Sequence, residues 1–217
     1  MSLGSAPPDP VVFIVDDDPS VRNAIKALLA SVGLDSETFG SPLELIGRVS
    51  PGDVGCVIMD VRMPKMSGIE AQQVLTEHQI DLPLIFVTAH ADVPLAVRVM
   101  KAGAVEVLEK PFDTQALIEI VQRAIESHRI LRESRLTLSE LQRRFETLTE
   151  RERAVMAGVV LGRLNKQIAG DLGTSEKTVK THRSHVMRKM AADSVPDLVR
   201  MADRLKSTAA TRGKGPS

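Results

Sequence analysis

The 217-residue chain contains no Trp and no Tyr, a single Cys, and no excess of either charge, with 28 basic residues against 28 acidic ones. The missing Trp and Tyr exclude the aromatic stacking platforms on which single-strand nucleic-acid binders rely. The lone Cys56 excludes a disulfide within the chain and points to a reducing compartment; set in an apolar run, it reads as a small core residue. No run of about 18 apolar residues is present. Residues 1–10 lack the basic and hydrophobic parts of a signal peptide. A cytoplasmic protein with no membrane association is the expectation.

The balanced charge hides two opposed halves. Residues 1–127 hold nine Lys and Arg against eighteen Asp and Glu, a formal −9, and residues 128–217 hold nineteen against ten, a formal +9. An acidic half suits a cation site, and a basic half suits a polyanion such as nucleic acid.

In the acidic half, short apolar runs alternate with amphipathic segments, the βαβ pattern of a parallel sheet. Strands are expected at 11–15, 34–39, 54–59, 84–88 and 105–108, the second at an edge because Asp35, Ser36 and Glu37 interrupt it. Helices are expected at 20–31, 42–49, 67–78 and 94–102, with a fifth starting near Asp113. The run Val57-Ile58-Met59 ends abruptly in Asp60, at the carboxyl edge of the sheet where α/β proteins bind ligands. Asp16, Asp17 and Asp18 leave the first strand at the same edge, Thr88 leaves the fourth, and Lys110 follows the fifth. Each has an ordinary structural use: the Asp triplet as a helix cap, Thr88 as a strand end, Lys110 as a solvated charge. Together they fit a hard cation such as Mg²⁺, with Asp60 as a nucleophile toward a phosphoryl group and Thr88 and Lys110 at its oxygens.

Residues 11–127 resemble the receiver domain of two-component response regulators. The likeness rests on Val15-Asp16-Asp17-Asp18, on Met59-Asp60-Val61-Arg62-Met63-Pro64-Lys65-Met66-Ser67-Gly68, on Thr88-Ala89-His90 and on Glu109-Lys110-Pro111-Phe112. The resemblance implies a flavodoxin-like, doubly wound sheet and Asp60 as phosphoryl acceptor from a sensor histidine kinase. It implies Asp16, Asp17, Asp60 and the backbone carbonyl of Arg62 around Mg²⁺, Thr88 and Lys110 on the phosphoryl oxygens, and a cis Lys110–Pro111 bond. The family usually carries an aromatic residue where Val107 stands, so a Thr88–Val107 switch would have a shorter swing. An aspartyl-phosphate phosphatase is the rival enzyme reading, but its usual general acid two residues on is here Arg62.

From Asp113 no Gly or Pro occurs until Gly158. Leu131, Leu138 and Phe145 are spaced by seven, with Leu141 and Leu148 at complementary positions. A long helix spanning a linker at 128–147 is expected, its stripe serving either a dimer seam or packing against a domain.

The basic half opens with a capping box, Thr149 with Glu152, and continues as helices to about 161, from 166 to 172, from 175 to 190 and from 196 to 206. The middle pair, joined by a turn with Gly173, describes a helix-turn-helix. At about 100° per residue, Val179, Val186 and Met190 share one side of the third helix. Lys177, Thr181, Ser184 and Arg188 lie opposite, flanked by Lys180. Arg183 is expected to pack its stem and extend its head to a phosphate or carboxylate. His182 and His185 could suggest a metal at i, i+3, but no carboxylate accompanies them in sequence.

Residues 148–206 resemble the LuxR-type, or NarL/FixJ-type, DNA-binding domain. The likeness rests on Leu148-Thr149-Glu150-Arg151-Glu152, Asn165-Lys166-Gln167-Ile168-Ala169, Thr178-Val179-Lys180-Thr181-His182-Arg183 and Ser194-Val195-Pro196-Asp197-Leu198-Val199. It implies a four-helix domain with its third helix in the DNA major groove. Lys180, Thr181 and Ser184 would face bases, Lys166, Thr178 and His182 would touch backbone, and Leu198, Met201, Ala202 and Leu205 would form a dimer seam. The expected protein is a phosphorylation-controlled transcriptional regulator that dimerises on a two-fold symmetric site in double-stranded DNA, with RNA polymerase as a further candidate partner. A constitutive DNA-binding regulator with a vestigial receiver is the alternative. Segments 1–10 and 207–217 are expected to be disordered.

Overall fold

A computed structural model describes residues 9–212. Five strands form one parallel sheet: β1 Val11–Val15, β2 Asp35–Phe39, β3 Gly55–Asp60, β4 Leu84–Thr88 and β5 Glu106–Glu109, in the order β2-β1-β3-β4-β5. The helices between them are α1 Pro19–Ser31, α2 Pro42–Arg48, α3 Gly68–Glu77 and α4 Val93–Lys101, followed by α5 Thr114–Glu146. Every residue of β3 and β4 is buried, as expected of strands covered on both faces. Alternate residues serve opposite cores. Val12, Ile14, Cys56, Ile58, Ile85 and Val87 pack with Ile25 and Leu29 of α1 and Leu117 and Val121 of α5. Phe13, Val15, Val57, Met59 and Phe86 pack with Leu45 of α2, Ala71 and Leu75 of α3 and Val99 of α4. Cys56 is fully buried, and burial pushes its thiol up to about 12, consistent with a core role. As expected, β2 lies at the edge and is only half-buried.

Helix starts follow local chemistry. Asp18, Ser41, Ser67 and Asp92 each accept a hydrogen bond from a first-turn backbone N–H, of Ser20, Glu44, Glu70 and Leu95 respectively. These caps put four helix starts just beyond the carboxyl ends of β1 to β4.

The chain divides into two compact units, Met1–Arg132 and Glu133–Ser217. The division lies inside α5, a few residues past the 127 boundary read from sequence, for a physical reason. His128 is buried with Nδ1 3.4 Å from the Gly55 N–H, and Arg132 donates to the carbonyls of Pro51 and Asp53. Burial, together with the charge of Arg132, lowers the His128 pKa. The heptad stripe divides likewise. Leu141 and Leu148 are buried in the core of the second unit with Phe145 packed against it, whereas Leu131 is exposed. Over its second half the stripe therefore packs against a domain.

The second unit contains α6 Glu150–Val160, α7 Asn165–Leu172, α8 Glu176–Met190 and α9 Val195–Arg212. Gly173, at φ 60° and ψ 43°, ends α7 in the left-handed conformation that glycine adopts without strain, and so sets the turn into α8. Val179, Val186 and Met190 are fully buried, as their spacing implies. The expected seam is largely core: Leu198 is fully buried and Ala202 nearly so, with Met201 and Leu205 packed against the same cluster. A helical stripe reveals that a face is apolar, not which surface covers it. The last helix also outruns its expected end at 206, reaching Arg212 before the first glycine, Gly213. Residues 207–212 are thus helical rather than disordered. Residues 1–8 and 213–217 of the two expected tails lie outside the described residues.

Leu198→Ala should destabilise the second unit by about 2–5 kcal/mol, the usual cost of emptying a buried leucine site. Denaturant unfolding followed by circular dichroism should show this loss at every protein concentration. A loss that grows on dilution would instead assign Leu198 to an intersubunit seam.

Candidate functional site

The carboxyl edge of the sheet gathers the expected polar residues. Asp16 follows β1, Asp60 ends β3, Thr88 ends β4, and Lys110 follows β5. Asp60 pairs in register with Val87, which sets it beside Thr88. The Lys110 ammonium lies between two carboxylates, 2.7 Å from Asp16 Oδ2 and 2.8 Å from Asp60 Oδ2. Burial opposes the Lys110 charge, but the hydrogen bonds to Asp16 and Asp60 outweigh it and raise the pKa above that of ordinary lysine. Asp60 Oδ1 accepts the Arg62 N–H at 3.0 Å, and Asp16 Oδ1 accepts the Asp18 N–H at 2.9 Å. Thr88 is buried, its hydroxyl 3.5 Å from both the N–H and the carbonyl of His90. The Lys110–Pro111 bond is cis.

The Asp triplet divides by role. Asp16 is buried, Asp17 is exposed at the rim, and Asp18 caps α1. Asp16, Asp17 and Asp60 each bring a carboxylate oxygen within 4.8 Å of the others, a hard-oxygen set that fits a divalent cation; Asp18 is outside it. Gly68, unassigned at the sequence level, is a steric requirement of this loop. A Cβ there would lie 2.5 Å from the Asp60 carbonyl oxygen and 2.8 Å from Phe86 Cε1, so a larger residue must displace Asp60 or the start of α3. Val107 is half-buried against the core on the α4 side. The α4 face nearby exposes Val93, Val97 and Met100.

In the second unit Lys177, Thr178, Lys180, Thr181, Ser184 and Arg188 are exposed along α8, and Lys166 is exposed on α7. His182 is half-buried. Arg183 departs from expectation: its guanidinium donates to the Asn165 side-chain oxygen at 3.2 Å, which ties α8 to α7. Lys189 is tied inward, donating to Glu152 Oε2 at 2.6 Å and to the Thr147 carbonyl at 3.0 Å. Glu152 is the residue sequence reasoning undervalued, reading only its cap. It is buried, and Lys189, with Thr149, holds its carboxyl at about 2, far below the usual glutamate range. It also supplies the carboxylate that His182 and His185 lack in sequence.

A doubly wound sheet with an acid pocket and bridging lysine, joined to a basic helix-turn-helix, defines a response regulator with a DNA-binding output domain. Residues 12–122 match the response regulator receiver domain, and residues 146–202 match the bacterial regulatory proteins of the luxR family. The chain belongs to this two-domain family, the NarL/FixJ response regulators, and is a two-component transcriptional regulator. It is 46% identical to nodulation protein W of Bradyrhizobium diazoefficiens over 195 residues, covering 90% of this chain and 86% of that one. It is 42% identical to the transcriptional regulatory protein FixJ of Rhizobium meliloti, covering 89% of this chain and 95% of that one. Among solved structures, the response regulator StyR superposes with a TM-score of 0.85 at 43% identity, covering 91% of this chain and all of that one. Full-length FixJ of B. japonicum gives 0.56 at 36% identity, covering 91% and 98%. Among the described residues no helix is long and apolar enough to cross a membrane.

Because the folded Glu152 pKa is depressed, its contribution is present above the unfolded value near 4.5 and is lost as pH falls through the folded value near 2. Chemical denaturation at stepped pH should show the second unit weakening across that window. Glu152→Gln should flatten the response and cost about 1–3 kcal/mol at neutral pH by removing a charged partner of Lys189.

Proposed function

We propose that Asp60 accepts a phosphoryl group from a sensor histidine kinase and thereby controls dimerisation and sequence-specific DNA binding by α8. The observation that carries this reading is the Lys110 ammonium held between Asp16 and Asp60 at 2.7 and 2.8 Å. In the transfer, the phosphorus–nitrogen bond of a phosphohistidine breaks as a bond from phosphorus to an Asp60 carboxylate oxygen forms, and the imidazole leaves. Lys110 and the Thr88 hydroxyl are suited to hold the phosphoryl oxygens. Asp16, Asp17, Asp60 and the Arg62 backbone carbonyl would hold Mg²⁺. When bound, the ion supplies positive charge that offsets repulsion between the carboxylates and the incoming phosphoryl group. Gathering of Asp16, Asp17 and Asp60 supports this assignment.

Val107 makes a smaller gate than the aromatic it replaces, and its partial burial suits a short displacement coupled to Thr88. The exposed Val93, Val97 and Met100 of α4 offer an apolar face on which a homodimer formed on activation could close. On DNA, Lys177, Lys180, Thr181, Ser184 and Arg188 would enter the major groove of each half-site, with Lys166, Thr178 and His182 toward phosphates. RNA polymerase is a further partner on this reading. The enzyme alternative is disfavoured because Arg62 occupies the position of a second acid.

Incubation with a small-molecule phosphodonor should label one aspartyl group, identified by mass spectrometry as Asp60, only when Mg²⁺ is present. Asp60→Asn should abolish the label, and labelling that survives in it would overturn the assignment. Fluorescence titration of operator DNA should give an affinity that falls steeply with salt, as phosphate contacts require. Lys180→Ala should lose about 1–3 kcal/mol of discrimination against altered sites if it reads a base. A flat salt response would refute the DNA interface.

A further inference from the structure

Away from the receiver pocket, and sharing only His182 with the DNA-contacting set proposed above, three side chains converge where α6 crosses α8. Glu152 of α6 and His182 and His185 of α8 each bring one ligand atom within 4.8 Å of the others. The two oxygens of Glu152 are engaged very differently. Oε2 accepts from Lys189 at 2.6 Å, from the Thr149 N–H at 2.9 Å and from the Thr149 hydroxyl at 3.2 Å, so it is saturated. Oε1 faces His185 Nδ1 at 3.5 Å. His182 Nδ1 is shut off from solvent and has no hydrogen-bond partner among the described residues. A buried polar atom left in that state is unfavourable and calls for a partner.

Two imidazoles three residues apart on one helix face, with one carboxylate oxygen, are the donor set of a zinc-type ion, which takes such ligands at about 2.0–2.2 Å in tetrahedral array. Bonds of that length separate neighbouring ligand atoms by roughly 3.3 Å. The 3.5 Å between Glu152 Oε1 and His185 Nδ1 already suits that spacing, and His182 brings a ring nitrogen within 4.8 Å of both. Imidazole nitrogens favour zinc and its transition-metal neighbours over Mg²⁺ and Ca²⁺. We propose that Glu152, His182 and His185 form a site for a divalent transition metal of the zinc type, with water as fourth ligand. The ion fastens the helix carrying the DNA-facing residues to α6. Lys189, already paired with the other oxygen of Glu152, limits the affinity by charge repulsion. The site is distinct from the Asp16, Asp17 and Asp60 pocket in ligand type and in domain.

The test uses the full-length protein in excess Mg²⁺, titrated with Co²⁺ and followed by the visible absorption of four-coordinate Co²⁺. The expected result is a saturable band at one equivalent that Zn²⁺ displaces. His185→Gln, whose parent side chain is 41% exposed, should weaken Co²⁺ binding at least tenfold with the circular dichroism spectrum unchanged. His182→Gln should do the same, and Zn²⁺ should raise the thermal midpoint of the wild type but not of either variant. Absence of a four-coordinate band in the wild type would overturn the proposal. So would a band that persists in both His variants, or one that Asp60→Asn alone removes, since that ion would reside in the receiver.

Discussion

The constraint on which the receiver depends is the placement of like charges. Asp16 and Asp60 are both buried at the edge of one sheet, and two such carboxylates are tolerable there only if a cation stands between them. Lys110 supplies that charge from the loop after β5, and its position follows from strand order. With β3 central, β1 on one side and β4 then β5 on the other, the ends of β1 and β3 adjoin, and the loop after β5 closes over them. The pocket is therefore built from residues far apart in sequence that the sheet brings to one edge. The same proximity supports the role proposed for Asp60: a carboxylate beside a fixed ammonium is suited to accept a phosphoryl group whose charge that ammonium can then share.

A second buried carboxylate organises the other half. Glu152 caps α6, pairs with Lys189 of α8 and faces His185, so one side chain ties the two helices together beside their shared core. The helix so held carries the exposed row Lys177, Lys180, Thr181, Ser184 and Arg188. The orientation of that row is set by the buried side of α8, where Val179, Val186 and Met190 fill the core.

Much of this was legible in the sequence. Apolar runs ending in Asp60 and Thr88 identify the carboxyl edge of a buried sheet, because strands covered on both faces lose their alternation. The spacing of Val179, Val186 and Met190 marks the inner side of α8. What eluded the sequence shares one physical cause, namely that a periodic stripe or a charged residue does not name its partner. Leu198 and Ala202 look like a seam but face their own core, and the stripe at Leu141 and Leu148, which left a dimer seam and packing against a domain equally open, does the same. Glu152 and Lys189 lie 37 residues apart, so only the crossing of α6 and α8 reveals their contact.

The coupling of the two halves is the central claim, and DNA affinity measured against phosphoryl occupancy on the same sample tests it most directly. Occupancy set by phosphodonor dose and read by phosphate-affinity electrophoresis should track operator affinity in a titration of the full-length chain, with Asp60→Asn fixed at the unphosphorylated value. An affinity that stays constant across all occupancies, or that is the same in Asp60→Asn and the fully phosphorylated protein, would contradict the account.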